Sequence, residues 1–187
     1  MFNMEKVLVL LAQGCEEVET VTVIDLLNRA GLEVTTACLD NEKVIHASHG
    51  ALLMAQKTLN EVLNEEFDMV VLPGGLPGAD HLANDTRVIR LIKDMAKAGK
   101  YVAAICAAPH ILAENGLLNG KKATAYPGFL KKSDFPQIDI CDEKVVVSGN
   151  IITGRGPGVA MDFALTLIEI LCGEELRDKV EKTLVRY

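Results

Sequence analysis

Cys106 is the residue from which chemistry is most directly built. It follows the apolar run Tyr101-Val102-Ala103-Ala104-Ile105 and precedes Ala107-Ala108-Pro109-His110-Ile111-Leu112-Ala113, so a buried strand turns towards a helix at the thiol. Unpaired N–H groups and the positive dipole end at a helix start favour a thiolate, the nucleophilic form of cysteine. A cysteine at a strand end is otherwise a small buried hydrophobe. What separates the two readings is whether the chain supplies an acid, an oxyanion donor and a proton carrier around the sulfur.

Three stretches are candidates for those parts. Glu16, Glu17 and Glu19 cluster in what reads as a first helical turn, where the dipole favours carboxylates for structural reasons alone. One of them could instead turn into a cleft beside Cys106, where burial and a neighbouring negative sulfur would keep it protonated as a hydrogen-bond donor. Their spacing does not choose among them. Pro73-Gly74-Gly75 follows another strand and serves either as a plain turn or as bare backbone whose N–H groups face a developing oxyanion. His110 stands four residues beyond Cys106, one helical turn on, and either touches the thiol or shapes the surrounding structure.

Other features fit no cofactor or metal. Gly154-Arg155-Gly156-Pro157-Gly158 is not G-x-G-x-x-G and lacks the Gly-Lys-Ser/Thr ending of a phosphate loop, so it reads as a tight turn with proline near a helix start. His46 and His49, three apart in strand-like sequence, would face opposite ways and make a poor metal pair. The five cysteines, 15, 38, 106, 141 and 172, are odd in number and contain no C-x-x-C pair, the pattern of a reducing compartment.

The elements that must position these residues alternate. Residues 6–12 read as a strand, after which the spacing of Val18, Val21, Ile24, Leu26 and Leu27 becomes helical; Gly31 ends that helix and 33–38 form a second strand. Residues 44–45 and 51–54 suggest a small hairpin, 58–63 a short helical turn and 69–72 a strand. Asp85 or Thr86 caps a helix reaching Ala98, and 122–126 give a brief strand. Residues 145–148 and 151–153 form a hairpin about Gly149-Asn150, and helices cover about 159–172 and 174–185. This order predicts one parallel or mixed sheet with helices on both faces, whose ligands bind beyond the carboxyl ends of the strands.

Composition narrows the setting. A chain of 187 residues suits a single domain, 1–187, able to bury roughly 70% of its unfolded surface. Apolar residues make up 49% and aromatics 4%, so Val, Ile, Leu, Ala and Met must fill the core. A net charge of −7 with interspersed signs argues against nucleic acid as a partner. The apolar runs are too short for a membrane span, and the first residues lack a signal-peptide core, so a cytoplasmic location is expected.

Four ordered motifs together resemble the ThiJ/PfpI superfamily: Gly14-Cys15-Glu16-Glu17-Val18-Glu19-Thr20, Val70-Val71-Leu72-Pro73-Gly74-Gly75, Ala103-Ala104-Ile105-Cys106-Ala107-Ala108-Pro109 and Thr153-Gly154-Arg155-Gly156-Pro157-Gly158. Within it the sequence is most similar to the branch of the deglycase linked to Parkinson disease. The resemblance implies a flavodoxin-like three-layer α/β sandwich, related to the class I glutamine amidotransferases, and a homodimer without cofactor or metal. It implies Cys106 as the reactive cysteine, Glu19 as the cleft acid, and the N–H groups of Gly75 and Ala107 as the oxyanion pocket. The activity implied is that of a glyoxalase or protein deglycase acting on small dicarbonyls such as methylglyoxal or on glycated substrates; a redox-sensing chaperone working through Cys106 oxidation is the alternative. Two departures matter. Tyr126 stands where this branch commonly carries histidine, and Ala107 stands where the peptidase branch has a histidine directly after the cysteine, which disfavours proteolysis. The thiazole phosphate role attached to the superfamily finds no phosphate loop here. Tyr126 and His110 are the remaining candidates for a proton carrier.

Overall fold

The structure, a computed structural model, describes residues 4–186; Met1–Asn3, on which part of the signal-peptide expectation falls, and Tyr187 lie outside it. Strand β1 (Lys6–Leu11) is followed by α1 (Glu17–Arg29), β2 (Glu33–Cys38), β3 (Val44–His46), β4 (Leu52–Met54), β5 (Lys57–Thr58) and α2 (Leu59–Val62). The chain continues through β6 (Met69–Leu72), α3 (Gly78–Asn84), α4 (Thr86–Lys97), β7 (Tyr101–Ile105) and α5 (Pro109–Glu114). It ends with β8 (Lys122–Ala123), β9 (Asp139–Ile140), β10 (Val145–Ser148), β11 (Ile151–Gly154), α6 (Ala160–Cys172) and α7 (Glu174–Thr183).

Seven strands form one sheet in the order β10-β11-β7-β6-β1-β2-β5, parallel except for the edge strand β10. Side chains alternate across a strand, so a central strand covered on both faces must be apolar throughout. β1 shows this directly. Leu8 and Leu10 pack with α2, α4 and α5, while Val7, Val9 and Leu11 pack with α1, α6 and α7. These are the three layers of a flavodoxin-like sandwich, as expected.

Helix spacing accounts for the covering layers. In α6 five of the buried residues, Ala160, Phe163, Ala164, Leu167 and Ile168, recur at i, i+3, i+4, i+7 and i+8, one face of a 3.6-residue period, and Leu165 is buried beside them. In α1 the buried positions are Glu19, Thr20, Val23, Leu26 and Leu27, so Glu19 lies on the core side of its helix. β1 neighbours both β2 and β6, and after β2 the chain crosses back over it. The crevice at such a reversal lies beyond the strand ends at Leu11 and Leu72, where the Gly14 and Gly74-Gly75 turns meet.

Four details differ from the sequence expectation. The segment before Asp85 is helical as α3, which begins at Gly78 with no side-chain cap to announce it. The strand expected over 122–126 stops at Ala123: Thr124 N–H donates to Thr153 Oγ1 at 3.0 Å and Tyr126 N–H to the Cys106 carbonyl at 2.8 Å, which draws the chain out of the ladder. Residues Pro157–Val159 form a 3-10 turn ahead of α6, because proline and glycine give that start no capping side chain. The last helix ends at Thr183 rather than 185; Val185 takes a φ of +50°, outside helical geometry.

Candidate active site

The corner after β7 is strained and held from both sides. Cys106 has a φ of +65°, a left-handed conformation uncommon for a residue with a side chain. Its N–H donates to the Gly154 carbonyl at 2.9 Å, and its own carbonyl accepts from Tyr126 N–H at 2.8 Å. Such outliers persist only where neighbours over-determine them, and they cluster at functional sites. A cysteine on a sharp strand-to-helix turn has the placement of a nucleophile elbow. The helix itself begins later than expected, at Pro109, and is only six residues long. Support for charge on the sulfur comes instead from the backbone N–H groups of Gly75 and Ala107, both of which favour the ionised thiol.

Glu19 reaches this corner from α1. It is fully buried, and its Oε2 accepts a hydrogen bond from Gly74 N–H at 2.8 Å. Its Oε1 has no hydrogen-bond partner among the described residues, an unusual state for a buried carboxyl. Burial pushes this carboxyl up to about 7, against the lowering effects of Gly74 N–H and the Cys106 thiol, with the charge of Glu16 adding to the rise. Burial, followed by the charge and hydrogen bonding of Glu19, pushes the Cys106 thiol up to about 12. The two values describe one negative charge that both groups compete for, since ionising either makes the other harder to ionise. Of the two, Glu19 gives up its proton first, so a thiolate at Cys106 requires that proton to stay on Glu19 as an acid O–H beside the sulfur.

The glycines explain how close the parts come. A Cβ on Gly74 would stand 2.5 Å from Cys106 Cβ and 2.8 Å from Glu19 Oε2, so no side chain fits between the acid and the thiol. Gly75 has a φ of +86°, and a Cβ there would stand 2.4 Å from Glu16 N. This tight passage sets the Gly75 N–H against the sulfur. Of the three glutamates, Glu16 caps α1 by accepting from Glu19 N–H at 2.7 Å, and Glu17 binds the N–H groups of His49 and Ala51 in the hairpin. Only Glu19 faces Cys106. Its position on the buried face, four residues before Val23, is what singles it out.

The two candidate proton carriers fare differently. His110 Nδ1 lies 2.9 Å from the Phe129 carbonyl and Nε2 lies 3.2 Å from Glu114, so both ring nitrogens are engaged away from the thiol. Of the two readings open for His110, contact with Cys106 is not formed and the structural one holds, because the turn at Ala107 and Ala108 intervenes before α5 and the ring bonds the 126–138 loop instead. Tyr126 is joined to Cys106 through its backbone. Its ring packs over Gly156 and edge-on to Phe129, with centroids 6.2 Å apart, and is 47% exposed.

Residues 5–170 match the DJ-1/PfpI family. The chain is 39% identical over 180 residues to Protein DJ-1 homolog A of Arabidopsis thaliana, covering 96% of this chain and 46% of that protein, so it spans about half the length of that relative. It is 34% identical over 172 residues to the glutathione-independent glyoxalase DJR-1.2 of Caenorhabditis elegans, covering 92% and 91% of the two chains. The crystal structure of Drosophila melanogaster DJ-1beta superposes with a TM-score of 0.92 at 38% identity, covering 98% of each chain.

Proposed function

The chain belongs to the DJ-1/PfpI family, and from that premise we propose that it is a cysteine-dependent glyoxalase or deglycase acting on small dicarbonyls such as methylglyoxal. The observation that carries this reading is the convergence on Cys106, at its strained φ of +65°, of a buried carboxyl and the N–H groups of Gly75 and Ala107. The glyoxalase name of the nematode relative supports it.

The chemistry follows from the groups present. The thiolate adds to the aldehyde carbon, forming a C–S bond while the carbonyl electron pair moves onto oxygen. Gly75 and Ala107 N–H groups hold that oxygen, and the Glu19 proton completes a hemithioacetal. Glu19, now ionised, removes the proton from the former aldehyde carbon and returns it to the neighbouring carbon, while the hydroxyl proton passes to the former ketone oxygen, giving a thioester of lactate. One carbon is oxidised and its neighbour reduced, so no external oxidant is needed. Water then cleaves the C–S bond, releasing lactate and restoring the thiol. A deglycase reaction differs only in its first step: at the carbinol carbon of an early glycation adduct the C–S bond forms as the C–N bond breaks, the freed amine takes the Glu19 proton, and the same hemithioacetal results.

Lactate formation from methylglyoxal by the purified protein tests the proposal. Cys106→Ser is expected to reduce it to the uncatalysed background, and turnover equal to wild type would refute the route. A second reading is favoured by Tyr126 in place of an imidazole: Cys106 serves as an oxidation sensor whose sulfinate is held by the Glu19 O–H. Mild peroxide followed by intact-mass and peptide analysis is then expected to add two oxygens at Cys106 alone, and oxidation scattered over the five cysteines would refute it.

A further inference from the structure

Aromatic side chains are scarce in this chain, which has five phenylalanines, three tyrosines and no tryptophan, and one of them stands at the elbow with nearly half its surface exposed. Tyr126 N–H donates to the Cys106 carbonyl, and Cys106 N–H donates in turn to the Gly154 carbonyl. Residues 126 and 154–156 are thereby tied to the same cysteine. The Tyr126 ring closes the gap between them: a Cβ at Gly156 would stand 3.2 Å from its Cδ2 and 3.8 Å from its Cε2, so the ring lies on bare main chain. Phe129 meets it edge-on, with the two planes at 77°. The ring is held on these sides and open on the rest.

The other side of the thiol is also bordered by apolar surface. Gly75 N–H faces the sulfur, and the next residue, Leu76, is half-exposed. Arg155, the cation of the 154–158 turn, is drawn away: its Nη1 donates to Asp142 at 2.6 Å and its backbone N–H to the Lys144 carbonyl at 2.9 Å. An α-oxoaldehyde held at its aldehyde carbon, by the sulfur and the oxyanion donors, directs its second substituent out of this corner, between Tyr126 and Leu76. A carboxylate there would find Arg155 already paired and would be repelled by an ionised Glu19. A methyl group covers little of the exposed ring. An aryl group matches it, because aromatic rings in offset or edge-to-face contact gain more than the burial of equal area alone.

We infer that Tyr126 is the specificity-determining residue of this site and selects α-oxoaldehydes whose second substituent is an aryl group, phenylglyoxal being the simplest. The inference rests on the dicarbonyl reading and names the substrate class for it. The bonds made and broken are those already described. The C–S bond forms at the aldehyde carbon, that carbon is oxidised as the ketone carbon beside the aryl ring is reduced, and water cleaves the C–S bond to release mandelate and restore the thiol.

The test measures lactate from methylglyoxal and mandelate from phenylglyoxal with the purified full chain. The ratio of the two kcat/KM values is compared between variants, which cancels the different intrinsic reactivities of the aldehydes. Tyr126→Ala retains the N–H that holds the elbow and is expected to lower the phenylglyoxal-to-methylglyoxal ratio about tenfold, mainly through KM for phenylglyoxal. Tyr126→Leu keeps an apolar cover on Gly156 without a ring face and should lower it about threefold. Tyr126→Phe should keep the ratio, since the ring and not the phenol makes the contact. An unchanged ratio in Tyr126→Ala and Tyr126→Leu, or a fall in Tyr126→Phe as large as in Tyr126→Ala, overturns the inference and leaves the dicarbonyl reading standing. Wild type that turns over neither aldehyde overturns both.

Discussion

Two buried or half-buried carboxyls sit at opposite ends of the same parallel strands, and they are treated in opposite ways. Asp68, just before β6, joins the amino ends of three strands. Its carboxylate accepts from Lys6 N–H at 2.9 Å and Lys100 Nζ at 2.6 Å, while its backbone bonds Lys6 O and Tyr101 N–H. Burial pushes this acid up, but the hydrogen bonds from Lys100 and Lys6 outweigh it and hold the acid below the usual range. Glu19, beyond the carboxyl ends, has one N–H bond to its Oε2 and no partner for Oε1 among the described residues. Burial wins there, and the acid is pushed up to about 7. A carboxyl that is fully paired fastens strands together. One left short of partners keeps a proton it can give away.

Substitutions at the two acids should separate these roles, beginning with the larger effect. Glu19→Gln keeps the volume and the Gly74 contact but removes the transferable proton, and is expected to lower kcat for lactate formation by about 10²–10⁴-fold. A variant within a factor of three of wild type would place the proton transfer elsewhere.

The pH dependence of stability is the next effect. Glu19 is raised from 4.5 to about 7, so the folded state holds its proton longer than the unfolded chain does. Its contribution is fully present below pH 4.5 and is lost as pH rises through about 7, a cost of about 3 kcal/mol for a shift of that size. Asp68 has the opposite sign: its contribution is present above its unfolded value of 3.8 and is lost as pH falls through its lower folded value. Denaturant melts between pH 5 and 8 are therefore expected to show wild type losing stability relative to Glu19→Gln as pH rises. Parallel curves would mean that the carboxyl is not protonated in the fold.

Asp68→Asn is expected to show the smallest effect. The Lys100 side chain is 45% exposed, so losing the pair should cost about 1 kcal/mol at neutral pH, read as a lower Tm, with lactate formation unchanged. A large loss of activity would show that the two strand ends are coupled.

The layers of the fold were legible in the sequence because apolar runs and helical spacing follow directly from two-sided burial. The site was legible in parts. Gly74 and Gly75 are marked by following a buried strand, whereas three glutamates in one helical turn are told apart only by the structure, in which α1 turns Glu19 onto its buried face. Family resemblance, rather than spacing, paired the acid with the thiol. The position of His110 was not legible, because its partners depend on where α5 starts and on the path of the loop through Phe129. Helix α3 was missed for a related reason: it opens on glycine after proline and carries no cap to mark its start. The bond from His49 N–H to Glu17 joins a hairpin to a helix more than thirty residues away in sequence, which strand-face alternation within the hairpin cannot reveal.

The bond from Tyr126 N–H to the Cys106 carbonyl has an evolutionary consequence. Position 126 is attached to the elbow by its main chain, which every residue except proline can supply, while its half-exposed ring contributes nothing to that attachment. The position therefore behaves as an interchangeable socket. A lineage can exchange phenol for imidazole there, and so retune the proton chemistry around the sulfur, without rebuilding the turn that presents it.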